Sequence, residues 1–251
     1  MSKHSHSLYL PSVIYQTRAI VLRTVKFGES SLIVDMYTEQ KGHQTFIINS
    51  VRKSKAITPA SFLQLLTLVD IVAYHQDHKK INRIKEVRLD HTYQSIPFDM
   101  NKSSVITCLA EITSRCLSTA YPQPELFSFL HDELIRYDSS PVYDRDFLIR
   151  FLVGLSHHLG FGFEILKGHI NGQFFDLMEG HLVNIKPHHD YIIDTKDLVF
   201  LQTILKTDPS FKADVTLDTR RRLIDLIIMY YQLHVETLRD VHSLKILRAL
   251  F

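Results

Sequence analysis

The chain has 251 residues, 45% of them hydrophobic and 22% charged. These are ordinary globular values, which argue against a disordered or fibrous chain. No stretch approaches the ~18 apolar residues of a membrane span, and two cysteines cannot build a disulfide scaffold. Met1 to Ser7 is Ser/His-rich with no apolar run behind it, so no signal peptide is expected. The expectation is a soluble cytoplasmic protein of a reducing compartment with no membrane partner. The net charge of +2 is unevenly spread: residues 1–90 hold 13 Lys+Arg against 7 Asp+Glu, and residues 91–251 hold 16 against 20. A basic front on an acidic back suggests two modules, the front one facing an anion.

The front half reads as strands. Tyr15 to Val25 is rich in β-branched residues, with Ala19, Val21 and Val25 on one side and Ile20 and Leu22 on the other. Phe27-Gly-Glu-Ser30 signals a turn, Ser31 to Thr38 a second strand, and Gln40-Lys-Gly-His43 a second turn in which Gly42 is free to take positive φ. Thr45 to Val51 reads as a third strand, Phe62 to Tyr74 as a fourth and Ile81 to Leu89 as a fifth, with Pro59 in the loop that precedes the fourth. Five short strands with glycine turns suggest a small closed or half-closed barrel.

The back half changes period. Val105, Leu109, Ile112, Cys116 and Leu117 recur at helical spacing, and further helices are expected over Leu126 to Tyr137 and Asp144 to Leu159, the latter ended by Gly160. Asp144 suits an N-cap. Asp194-Thr-Lys-Asp197 opens another helix, and Asp218 is expected to cap a long last one running from Thr219 to about Leu250. Residues 161–191 form an irregular stretch. The expected domains are a flexible extension over 1–14, a barrel over 15–92 and a helical domain over 93–251.

Enzyme motifs are missing: there is no GxSxG, P-loop, GxGxxG or HExxH. Asp144 and Asp146 lie two apart and would point to different sides of a helix. Cys108 and Cys116, eight apart, read as buried structural thiols. His169, His181, His188 and His189, near Asp176 and Glu179, are the conceivable metal ligands, with solvated loop histidines as the plainer account. The basic residues of the front half remain. Arg18, Arg23 and Lys26 lie along strand one, Lys41 at a turn, Arg52, Lys53 and Lys55 in one loop, and Lys79, Lys80 and Arg83 at the start of strand five, followed by Lys85 and Arg88. Phe27, Tyr37, Phe46 and Tyr74 are interleaved with them. Such a surface can track phosphates with cations and stack bases on aromatics; the alternative is a solvated outer face over a core of aromatics. Three cations in the four residues 52–55 favour an anionic partner.

The order of motifs Thr17-Arg-Ala-Ile-Val-Leu-Arg23, Phe27-Gly-Glu-Ser-Ser31, Tyr37-Thr-Glu-Gln-Lys-Gly42, Arg52-Lys-Ser-Lys55 and, further on, Leu109-Ala-Glu-Ile112, Phe151-Leu-Val-Gly-Leu155, His158-Leu-Gly-Phe161 and Tyr230-Tyr231 resembles the RecO family of bacterial recombination mediators. The resemblance implies an α+β chain: a five-stranded OB-type barrel followed by an α-helical domain. It implies binding of single- and double-stranded DNA, strand annealing and, with RecR, loading of RecA on DNA coated by single-stranded-DNA-binding protein (SSB), without enzyme turnover. Many members carry a four-cysteine zinc element in the helical domain. Here residues 161–191 contain no cysteine, and Gln173-Phe-Phe-Asp-Leu-Met-Glu-Gly180 looks like a degenerate remnant, so no metal or other cofactor is expected. Arg220, Arg221 and Arg222 open the last helix beside Leu223, Ile224 and Ile227. They could receive the acidic tail of SSB or bridge internally to Asp214, Asp218 and Asp225. A module that docks a protein rather than DNA is the other reading of the barrel.

Overall fold

A computed structural model gives the fold, and it describes residues 13–49, 51, 58–76, 79–119, 121–163, 170, 172–209, 211 and 213–245. The chain is α+β and divides into two compact units, one of residues 1–92 with 120–122, the other of 93–119 with 123–251.

In the first unit, strands β1 (Val13–Phe27), β2 (Ser31–Thr38), β3 (Gly42–Ile48), β4 (Leu68–His75) and β5 (Asn82–Leu89) pair in the order β1-β2-β3-β5-β4, with β4 returning to β1, so the sheet closes into a barrel. Closure depends on the length of β1. Its first half pairs antiparallel with β4, from Val13 opposite His75 to Ile20 opposite Leu68. Its second half pairs with β2, from Ala19 opposite Thr38 to Phe27 opposite Ser31. The register shifts between Val21 and Arg23 at this handover, and a bulge of this kind bends a strand. Simple alternation therefore fails: Ala19, Ile20, Val21 and Leu22 are all buried, while Val25 is exposed. The barrel interior is built from Ala19, Val21, Leu32, Val34, Met36, Phe46, Ile48, Val69, Ile71, Ala73, Ile84 and Val87.

Two expected strands are corrected. The third begins at Gly42, whose φ of 65° turns the chain directly into the strand, and ends at Ile48. The fourth begins only at Leu68: Ala60–Leu63 is a 3-10 turn after Pro59, and Leu66 takes a φ of 57° with its N–H donated to the Val21 carbonyl at 2.7 Å. A left-handed Leu cannot continue a ladder, so the apolar run from Phe62 splits into a turn and a strand. The Tyr37 hydroxyl, wholly buried, donates to the carbonyl of Tyr121, one of the 120–122 residues that group with the barrel.

The second unit holds helices α1 (Met100–Cys116), α2 (Pro124–Ser139), α3 (Phe147–His158), α4 (Thr195–Lys206) and α5 (Leu217–His234). Asp99 caps α1 through the N–H groups of Asn101 and Lys102, Pro124 occupies the first turn of α2, and Asp194 caps α4 through the Asp197 N–H at 2.8 Å. Gly160, at φ 89°, follows the end of α3 as expected. Asp144 is not the cap of α3; it lies before the helix and binds Arg150 instead. The cap of α5 is Thr216, not Asp218, and the helix stops at His234, well short of Leu250. Residues 161–191 are not wholly irregular. Strands β6 (Phe174–Asp176) and β7 (His181–Val183) join β8 (Ile192–Ile193) in a small sheet of order β7-β6-β8. Asp176 accepts the N–H groups of Met178 and Glu179 and stands 3.2 Å from His189 Nε2. Among the described residues no group of three or more His, Cys, Asp or Glu is arranged to hold a metal; His169 lies outside them. No described helix is long and apolar enough to cross a membrane.

Candidate nucleic-acid interface

The pairing pattern sorts the cations of the barrel by position. At one end β1 finishes at Phe27, β2 begins at Ser31, β3 finishes at Ile48 and β5 begins at Asn82, because β3 and β5 run parallel with Phe46 opposite Asn82 and Ile47 opposite Arg83. The turn from β4 to β5 is also here, closed by the Lys79 N–H on the Gln76 carbonyl at 2.9 Å and by the Gln76 N–H on Asn82 Oδ1 at 3.1 Å. This end therefore collects Lys26, Lys79, Lys80 and Arg83, all exposed. Arg83 lies three strand spacings from the row of Lys26, roughly 14 Å along the sheet. None of these cations forms an ion pair with a described residue. Phe27, 52% exposed, and Ile81, 44% exposed, give the same end apolar surface.

The other expected contacts are placed differently. Arg23 is exposed on β1, its guanidinium 4.0 Å from Asp35. Arg18 is clamped by Glu39, with Nε to Oε2 at 3.0 Å and Nη2 to Oε1 at 2.6 Å. That bond holds its guanidinium above its ordinary pKa. Lys41 sits in the β2–β3 turn at the opposite end, its Nζ 5.4 Å from the centre of the Tyr15 ring. Arg52, Lys53 and Lys55, which follow β3 in sequence, lie outside the described residues. Of the interleaved aromatics, Tyr37 and Phe46 are wholly buried, so neither can stack a base; Tyr74 is half-buried, and Phe27 is the exposed one.

The three arginines of α5 are bridged internally, Arg221 by the nearby Asp218 as sequence proximity suggested and Arg220 and Arg222 by aspartates distant in sequence. Arg220, 8% exposed, reaches Asp146 with Nε to Oδ1 at 2.6 Å and donates to the carbonyls of Ala213 and Val215. Arg222 forks onto Asp197, with Nε to Oδ2 at 2.7 Å. Arg221 stands 3.7 Å from Asp218. Asp146 precedes the first turn of α3 and Asp197 lies in the first turn of α4, where helix dipoles favour carboxylates. Each aspartate thus meets a helix N-terminus and an arginine together, and Arg220 is too enclosed to receive an external acidic tail.

One feature of the helical unit was missed in the sequence: a cavity of about 890 Å³ lined in part by His157, His158, Phe161, Glu179, Tyr230 and His234. Its traces were the adjacent histidines, the Gly160-Phe-Gly-Phe163 exit from α3 and the four-residue spacing of Tyr230 and His234, none of which resembles a known motif.

Two family models together match nearly the whole chain: Recombination protein O N terminal over residues 13–93 and Recombination protein O C terminal over residues 97–244. A protein named DNA repair protein RecO from Christiangramia forsetii is 30% identical over 242 residues, covering 95% of this chain and all of that one. Its namesake from Bacteroides fragilis is 28% identical over the same length and coverage. That from Flavobacterium johnsoniae is 26% identical over 239 residues, covering 94% of this chain and 98% of the relative.

Proposed function

The chain belongs to the RecO family of DNA-repair and recombination proteins, and from that premise we propose that its barrel is an OB-type module that binds single- and double-stranded DNA. The observation that carries this reading is the set of exposed cations that form no ion pair with a described residue, Lys26, Lys79, Lys80 and Arg83, gathered at one end of a closed barrel beside exposed Phe27. Point charges of this kind hold phosphates and fix register without reading sequence, while an exposed ring stacks any base. Arg23, exposed on β1, lies alongside them. Arg18 and Lys41 contribute less, one neutralised by Glu39 and the other at the far end.

On this reading the protein acts without turnover. It holds two strands against one cationic surface, lets complementary stretches anneal and, with RecR, helps RecA replace SSB on single strands. Arg221 and Arg222 are the residues of the α5 set left accessible to an acidic SSB tail. The zinc element of other members is replaced by the cysteine-free sheet β7-β6-β8.

A strand-annealing assay with SSB-coated oligonucleotides, run across a salt series, tests the proposal. Annealing and an affinity that falls steeply with salt are expected, because displaced counterions set that slope. Affinity that ignores salt, or no DNA binding at all, would favour a barrel that docks a protein partner.

A further inference from the structure

The cavity in the helical unit shares no lining residue with the cationic end of the barrel. It lies where two helices end. Helix α3 finishes at His158 and α5 at His234, and His157, His158, Gly160, Phe161 and His234 all line the cavity. Each helix C-terminus carries about half a negative charge. Glu179, in the turn between β6 and β7, adds a full one; its carboxylate is exposed and bonds to no described residue. None of the described lining residues is Lys or Arg.

The walls are aromatic. Phe161 stacks on His234, with ring centres 5.5 Å apart and 12° between planes, and Phe163 packs on Tyr230 at 4.4 Å. Close approach keeps this wall in place: a Cβ on Gly162 would lie 2.9 Å from the His157 backbone. The hydrogen bonds set the sense of the polar groups. His234 Nε2 is 2.9 Å from the Leu177 carbonyl, so it carries the proton and leaves Nδ1 as an acceptor in the neutral ring. Burial and the neighbouring His157 hold the His158 pKa below its ordinary value, which keeps that ring neutral. Aromatic faces, hydrogen-bond acceptors, a bare carboxylate and two helix C-termini, with no cation among the described lining, together form an environment for a planar cation.

We propose that this cavity receives the guanidinium of an arginine presented by a peptide segment of a partner protein, with Glu179 taking its charge and Phe161 and His234 its planar face. A volume of about 890 Å³ exceeds the needs of one guanidinium and its stem, so the residues flanking the arginine enter with it. Free arginine suits the site less well, because its α-carboxylate would face Glu179 and the helix ends.

The test uses the full chain and N-acetyl-L-arginine amide as probe, with binding measured by calorimetry and located by the ring-proton resonances of His158 and His234. Saturable binding at pH 8 that perturbs these resonances is expected. It should weaken on acidification, as the His158 ring takes up a proton and sets a cation against the guest. Glu179→Gln should weaken binding at pH 8 about tenfold, the worth of one charge-assisted hydrogen bond. Free L-arginine should bind less well than the blocked amide. Failure of the probe to bind, binding that strengthens on acidification, an unaffected Glu179→Gln variant, or tighter binding of free L-arginine would each overturn the proposal. DNA affinity, measured in parallel, depends on the barrel and stays unchanged in Glu179→Gln.

Discussion

In the helical unit Arg150, Arg220 and Arg222 turn toward Asp144, Asp146 and Asp197, whose carboxylates are nearly sealed from solvent. In the barrel unit Lys26, Lys79, Lys80 and Arg83 stand in solvent and form no ion pair with a described residue. The difference is one of destination. A cation matched to a carboxylate within the fold is spent on holding helices together, and cations left together on one end of a barrel repel one another until an anion arrives. The basic front and acidic back visible in the amino-acid counts are the outward sign of this division.

The largest effect is expected at Arg220. Its pair with Asp146 is buried on both sides, with side chains 10% and 3% exposed. Removing one partner strands a charge, at a cost of about 3–5 kcal/mol. Arg220→Met should therefore lower the urea midpoint sharply, and Asp146→Leu alone should do the same. The double variant should recover much of the loss, since an apolar pair of similar volume tolerates the site. Equal and additive losses would show that the pair is not a unit.

The next margin is in the barrel. Replacing Lys79, Lys80 and Arg83 together with Gln should leave urea stability within about 0.5 kcal/mol. It should lower the slope of log affinity for single-stranded DNA against log salt by about 2 units, at ~0.7 for each phosphate no longer neutralised. A lost fold with an unchanged slope would reverse the assignment of these cations.

Arg18 sharpens the boundary between the two uses. Its ion pair with Glu39 is partly exposed, a class of pair worth about 0–1 kcal/mol. Glu39→Gln should cost little stability and release Arg18, raising DNA affinity at low salt. The smallest effect concerns His43, whose pKa burial pushes below its ordinary value. The unfolded chain then binds the proton more readily than the folded one, so this contribution to stability is complete above about pH 6.5 and is lost as pH falls below it. A His43→Gln variant should show a shallower loss of barrel stability between pH 7 and pH 5 than the parent.

What could be read from the sequence was local. Ser31 to Thr38 is an apolar, β-branched run between two turn signals, and the strand occupies those residues. Asp194 carries a helix-start pattern and caps α4. What could not be read was decided at a distance. The left-handed Leu66 that divides the apolar run from Phe62 is fixed by its bond to Val21 on another strand. Thr216 rather than Asp218 caps α5, and nothing in Val235-Glu236 marks the end of that helix as Gly or Pro would. The partner of Arg220 lies 74 residues away, whereas sequence proximity offered only the acids nearby. At the barrel, the spacing of basic residues suggested one surface. It took the parallel pairing of β3 with β5 to show which cations share an end, and burial to remove Tyr37 and Phe46 from it.

The grouping of residues 120–122 with the barrel bears on how such a protein can be taken apart, in the laboratory or over evolutionary time. The barrel is not a contiguous gene segment. A chain ended after residue 92 lacks Tyr121, whose carbonyl accepts the wholly buried Tyr37 hydroxyl. Loss of one intramolecular hydrogen bond costs about 0.5–1.5 kcal/mol. Exchange of barrels between relatives by a single crossover near residue 92 would therefore set Tyr37 against the other parent's linker, unless the linker between α1 and α2 travelled with the barrel.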